Sequence, residues 1–193
     1  VNQTSVSLLD RLRGAGPDAS DWGRLQSIYR PLIERWIRRI PGLEQAADDV
    51  TQEVLAVVAR EIPRFQRQRE GSFRAWLRQV TVNQVRSFRR RDGRFPRAAA
   101  DPAEGFLDNL ADPRNDLALA WDREHDQHLV DRLLTLVRPD FQATTWDAFQ
   151  RFALDGEPAR QVAESLGLSE NAVLLAKSRV LRRLRQEAGE LLG

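Results

Sequence analysis

The 193-residue sequence contains no cysteine and no methionine, and Lys177 is its only lysine. Without cysteine there are no disulfides and no thiolate zinc sites, although the absence identifies no compartment. Without methionine, Val1 implies a removed initiator, an alternative start codon or a trimmed chain. Long apolar runs are missing too: no stretch approaches a membrane span, and the N-terminus lacks the apolar core of a signal peptide, so a cytoplasmic protein with no membrane partner is the default. No phosphate loop of the Walker type and no glycine-rich dinucleotide turn is present. The near-absence of lysine leaves arginine to supply the positive charge, a preference that genomic base composition explains as readily as function.

What the chain does have is segregated charge. Its formal net charge is only +2. Yet from Arg60 to Arg94 eleven arginines stand against Glu61, Glu70 and Asp92, and from Pro96 to Asp131 nine carboxylates stand against three arginines. A solvated charge run mixes its signs; the first of these does not, and guanidinium groups suit phosphate forks and base stacking. The length and the 41% apolar content allow two small cores.

Helical periods dominate. A short helix is expected over Val6 to Arg13, followed by a Gly-Ala-Gly-Pro turn and Ser20 as a helix cap. Leu25, Ile28, Tyr29, Leu32, Ile33, Trp36, Ile37 and Ile40 follow one helical stripe, with Pro31 either kinking it or marking its start. Pro41-Gly42 breaks it before an acidic helix that begins near Glu44. There Val50, Val54, Val57 and Val58 make a buried stripe, while Asp49, Gln52 and Glu53 share another face. Asp48 and Asp49 in the first turn also suit the helix dipole, which is the plain alternative to a docking role. Ile62-Pro63 closes that helix, and a basic loop leads to Phe73, Trp76, Leu77 and Val80 at helical spacing. Arg74, Arg78, Arg86, Arg89, Arg90 and Arg91 project from this helix with Asn83 among them, and aromatics interleaved with arginines fit single-strand stacking as well as a core.

Residues 94–116 show no sustained period and read as an acidic linker with room for one short helical turn. Such a linker can thread a basic channel or lie back over the basic face, and plain solubility explains it equally. A helix over Leu117 to Val137 stops at Arg138-Pro139, and Trp146, Phe149 and Phe152 suggest the core of a second module. From Pro158 to Arg185 the pattern is helix-turn-helix: Val162, Ala163 and Leu166 inward, Gly167 at the turn, Ser169 as cap, and Val173 and Ala176 inward again. Lys177, Arg179, Arg182, Arg183 and Arg185 form a basic end. A cationic helical hairpin is the bland reading. As a recognition helix, its first residues Ser169, Glu170, Asn171, Ala172 and Leu174 would lie nearest base edges, with Asn171 suited to adenine and the basic residues to phosphates.

An enzyme would have to use Glu124-His125-Asp126-Gln127-His128, whose histidines are three apart. The two-histidine metalloprotease motif needs a spacing of four with glutamate between, and that order is missing. His125 also lies four residues from both Trp121 and Leu129, which places it on a core-facing side.

Taken together, residues 21–188 resemble a bacterial sigma factor of the extracytoplasmic-function (ECF) type in its two-domain minimal form. Ala47-Asp48-Asp49-Val50-Thr51-Gln52-Glu53-Val54 is similar to the region 2.2 helix of that family, which docks on the clamp helices of the largest catalytic subunit of RNA polymerase. That resemblance makes Asp48, Asp49, Gln52 and Glu53 the polymerase contacts. Phe73, Arg74, Trp76, Arg78, Asn83, Arg86, Arg89 and Arg90 fall where regions 2.3 and 2.4 open and read the downstream promoter element. Ser169, Asn171, Ala172, Leu174, Lys177, Arg179 and Arg182 fall in a region 4.2 that reads the upstream element. Leu174, Leu175 and Ala176 depart from the basic residue many members carry there. The resemblance implies an all-α chain: a region 2 bundle over 1–93, a flexible linker over 94–116 and a region 4 helix-turn-helix domain over 117–193. It implies binding without catalysis or cofactor, with core polymerase and promoter DNA as partners. An anti-sigma protein commonly restrains such factors. The alternative is a helix-turn-helix regulator that binds operators without polymerase; it accounts for residues 157–185 but not for the acidic and Arg-aromatic helices before them.

Overall fold

The computed structural model describes residues 8–13, 19–66, 72–92 and 101–192. Among these every regular element is helical, as the sequence leads one to expect. Residues 9–129 form one compact unit, and residues 130–192, with Leu8, form the other. Val6, the Gly-Ala-Gly-Pro turn and Arg67, Arg69 and Arg94 lie outside the described residues.

In the first unit, α1 (Leu8–Arg13), which belongs to it from residue 9 on, is short and buries Leu12 completely. Helix α2 (Ala19–Ile37) buries Leu25, Ile28, Tyr29, Leu32, Ile33, Trp36 and Ile37, and Ser20 lies inside its first turn rather than capping it. Pro31 neither starts nor ends this helix. It faces solvent, and the residue four before it, Ser27, is exposed, so the carbonyl that loses its partner is open to water. Residues 40–46 make tight turns, with Leu43 N donating to Ile40 O and Ala46 N to Leu43 O, both at 3.1 Å. Regular helical bonding resumes only afterwards, so α3 runs Ala47–Glu61 rather than from Glu44. Its buried residues are Ala47, Val50, Thr51, Val54, Leu55 and Val58; Val57 is half-buried, which shifts the expected stripe toward Leu55. A 3-10 turn, Ile62–Arg64, ends α3, and α4 (Ser72–Arg91), which lies against α3, buries Leu77, Val80, Thr81, Val82 and Val85.

The linker expectation needs correction. Residues 102–111 form a ten-residue helix, α5 (Pro102–Ala111), which lies against α4 and buries Ala103, Leu107 and Leu110. Asp101 caps it, its side chain accepting from Ala103 N at 3.0 Å, and Pro102 occupies the first turn, where its missing N–H costs nothing. Helix α6 (Asp116–Val137) follows after four residues, and its first half belongs to the same unit. Trp121 meets Trp36 with ring centroids 5.2 Å apart, and both rings are at most 1% exposed. The compact first unit therefore extends to residue 129, well past the boundary at 93 read from sequence.

The second unit holds the end of α6, a 3-10 turn at Arg138–Asp140, and α7 (Ala143–Phe149), which continues as a π-helical turn over Gln150–Leu154. Helices α8 (Ala159–Leu166) and α9 (Glu170–Leu192) complete it. Val137, Trp146, Phe149 and Val180 form one core cluster; Ala148, Val162, Ala163, Val173 and Ala176 form the other. Pro158 stands one residue before α8, and Gly167 closes it with φ +66°, a left-handed conformation that a side chain would strain.

Candidate nucleic-acid interface

Three surfaces carry the residues singled out by sequence. On α3, Asp49 and Gln52 are exposed, and Gln52 Nε2 donates to Asp48 at 3.0 Å. Asp48 also pairs with Arg30 of α2 at 2.5 Å. Glu53 leaves this group: it turns toward α4, accepting from Gln84 Nε2 at 2.6 Å and pairing with Arg91. Asp49, Gln52 and Glu53 share one side of the continuous helix α3, as expected, with Glu53 engaged by α4 rather than left open.

On α4 the arginines are not bare. Arg74 pairs with Asp126 at 2.9 Å and Asp122 at 3.6 Å. Arg78 is 5% exposed, pairs with Asp122 at 2.5 Å and donates to the Ala118 carbonyl at 3.3 Å. Arg86 meets Glu104 at 2.6 Å and Asp108 at 2.5 Å. Arg89 meets Asp101 at 2.5 Å and Glu104 at 3.6 Å, and its guanidinium holds the Asp101 carboxyl below the usual carboxylate range. Arg90 and Asn83 are exposed, Asn83 accepting from Gln79 at 3.0 Å. Of the aromatics, Phe73 is 7% exposed and packs between Tyr29, Phe65 and Trp76, whereas Trp76 is half-buried, its ring 5.0 Å from that of Phe65. Burial takes Phe73 and Arg78 off the surface on which sequence places them. The acidic partners lie twelve to fifty-two residues away in sequence; of the alternatives open for the acidic segment, Asp101, Glu104 and Asp108 lie back over the basic face, while the pairs made by Asp122 and Asp126 of α6 were not foreseen.

On α9 the Ser169 hydroxyl accepts from Ala172 N at 3.2 Å and caps the helix. Asn171, Leu174, Leu175, Arg179 and Arg182 are exposed, and the first three lie within the two N-terminal turns. Lys177 instead stacks on Phe152, 5.1 Å from the ring centre. Arg183 is held by Asp140 and Glu187, each at 2.8 Å, so the basic end is less free of acids than its sequence suggests.

The two histidines are structural. His128 Nε2 meets the Ile28 carbonyl at 2.5 Å; His125 is 4% exposed, stacks on Tyr29 and directs Nδ1 to Asp126 at 3.1 Å. Among the described residues no three His, Cys, Asp or Glu side chains are grouped to hold a metal. Burial pushes the His125 imidazole below its ordinary range, against the opposing pull of Asp126, and its Nε2 has no hydrogen-bond partner to accept a second proton's N–H. The unfolded chain takes up that proton near pH about 6.5 and the folded chain resists it, so this contribution to stability is complete above that pH and is lost as pH falls below it. The thermal midpoint should drop from pH 7.5 to 5.5, and His125→Phe should flatten that drop. An unchanged slope in the variant would assign the effect elsewhere.

Residues 25–95, which hold α2 from Leu25 onward together with α3 and α4, match the Sigma-70 region 2 family. This match covers somewhat over a third of the chain. A curated relative is the ECF RNA polymerase sigma factor SigE of Mycolicibacterium smegmatis (strain ATCC 700084 / mc(2)155), 26% identical over 164 residues, which are 83% of this chain and 58% of the relative. The chain thus spans somewhat over half the length of that protein.

Proposed function

We propose that this chain is a transcription initiation factor that binds core RNA polymerase, directs it to particular promoters and melts the downstream element, acting by binding and not by catalysis. The observation that carries the reading is the match of residues 25–95 to Sigma-70 region 2, in a chain whose second unit holds a helix-turn-helix. In this reading the exposed acidic start of α3, Asp49 with Gln52 and the adjacent Asp48, docks on the clamp helices of the largest catalytic subunit. Trp76, with Asn83, Arg74, Arg86, Arg89 and Arg90 on α4, holds the unpaired strand by stacking and charge. Asn171 and Leu174 on α9 meet base edges of the upstream element, and Arg179 and Arg182 hold its phosphates. The functional division is then residues 1–93 for polymerase and downstream DNA and 117–193 for upstream DNA, with 94–116 between them carrying the acidic helix.

The test is run-off transcription with core polymerase from the source organism and a fragment from upstream of this chain's own gene. Transcription should depend on the protein, and Asp49→Arg should lower it about tenfold or more, the size expected when an interface charge is reversed. A protein that shifts the fragment but neither co-purifies with core nor starts transcription is a plain helix-turn-helix regulator instead.

A further inference from the structure

Helix α5 meets α4 through two layers. Ala103, Leu107 and Leu110 are at most 2% exposed and fix the helix in place. Its other side presents carboxylates to two of the arginines: Glu104 and Asp108 to Arg86, and Asp101 and Glu104 to Arg89. The geometry resembles what a nucleic-acid strand would supply. A phosphate and a carboxylate offer a guanidinium the same planar pair of oxygens at the same distance, so one excludes the other from a given fork. The carboxylates on Arg86 are well placed to be displaced, whereas the Arg89–Asp101 pair is more enclosed, at 10% and 20% side-chain exposure. Glu104 and Asp108 side chains are 45% and 68% exposed, so solvent and salt screen their pairs. The pairs on the other half of α4 differ, because Arg78 is buried with Asp122 inside the unit.

We infer that α5 is an intramolecular competitor for nucleic-acid phosphates, holding Arg86 and Arg89 with Asp101, Glu104 and Asp108 until a strand replaces them. The inference rests on the reading of α4 as a single-strand surface. It requires no unfolding of α5, only rotation of two arginine side chains from carboxylate to phosphate. Its consequence is that the free chain binds DNA weakly at this surface and discriminates against short or isolated phosphate contacts.

The experiment uses the full chain and a fluorescein-labelled 15-nucleotide single-stranded DNA, with anisotropy read over a series of salt concentrations. Glu104→Gln/Asp108→Asn keeps side-chain size and removes two charges from the competing face. Asp112→Asn/Asp116→Asn removes two exposed charges, one just after α5 and one from the first turn of α6, and controls for net charge. The first variant should bind about tenfold tighter at low salt and the control less than about twofold; the slope of log K against log salt should steepen by about 0.7 for Arg86 newly engaged on a single strand, since Asp101 still holds Arg89 in this variant. Arg86→Ala added to the first variant should remove most of the gain. Equal changes in the two variants, or no change in either while the wild-type chain still binds, would overturn the competitor and leave the single-strand surface standing. Absence of binding by every variant at low salt would overturn that surface and the competitor with it.

Discussion

Asp122→Ala should destabilise the first unit by about 3 kcal/mol, because it removes the partner of a guanidinium that has nowhere else to discharge its cost of burial. The Arg78 side chain is 6% exposed, and its remaining partner is the Ala118 carbonyl at 3.3 Å. Breaking one member of a buried pair typically costs about 3–5 kcal/mol, and the lower end applies because the Asp122 side chain keeps 26% of its exposure. About 3 kcal/mol is more than a hundredfold in the ratio of folded to unfolded chains. Arg78→Met/Asp122→Leu should recover all but about 1 kcal/mol, since apolar groups of similar volume replace a buried ion pair at little penalty. Urea unfolding followed by tryptophan fluorescence reads this directly, as Trp22, Trp36, Trp76 and Trp121 all lie in residues 9–129. A single variant within about 1 kcal/mol of wild type, or a double variant as weak as the single, would show that water reaches Arg78 after all.

That pair also shows where sequence reading stops. The stripe of α2 from Leu25 to Ile37, the acidic start of α3 and the α8–turn–α9 pattern around Gly167 were legible, because each is written within a few turns of chain. Arg78 and Asp122 are 44 residues apart, and nothing local tells a guanidinium that will be buried from one that will face water. On sequence, α4 reads as a helix with a bare basic face; in the fold Arg74, Arg78, Arg86 and Arg89 each meet a carboxylate from α5, its cap or α6. The partners of Glu53 were hidden for the same reason, since Gln84 and Arg91 come from another helix. Helix α5 was hidden differently. Its buried residues Ala103, Leu107 and Leu110 span only two turns, too few to establish a period, although the Asp101-Pro102 start was a helix signal in itself.

The boundary of the first unit was hidden by continuity. Along α6, Trp121, His125, Leu129, Leu133 and Val137 recur every four residues and all are buried, so the stripe gives no sign of passing from one unit to the other near residue 129. This leads to the second large effect. A fragment ending at residue 93, the limit suggested by composition, should fail to fold stably, whereas one ending at 129 should unfold cooperatively. The shorter fragment loses Leu107, Leu110 and Trp121, all buried completely, and uncovers Trp36. At about 1.5–3 kcal/mol for each fully buried large apolar side chain, these three alone contribute about 6 kcal/mol, an upper estimate because the unfolded chain already hides part of that surface. That is comparable to the whole stability of a small domain, about 5–15 kcal/mol, and the compensation of Arg78 by Asp122 is lost as well. Far-UV circular dichroism and a urea titration of the two fragments decide it. Equal midpoints would mean that α2, α3 and α4 are a complete core and that α5 and the first half of α6 merely rest on it. A shorter fragment that is helical but melts without a cooperative transition would mean that the region 2 bundle needs the acidic segment as a structural part, so that the same residues close its core and neutralise its arginines.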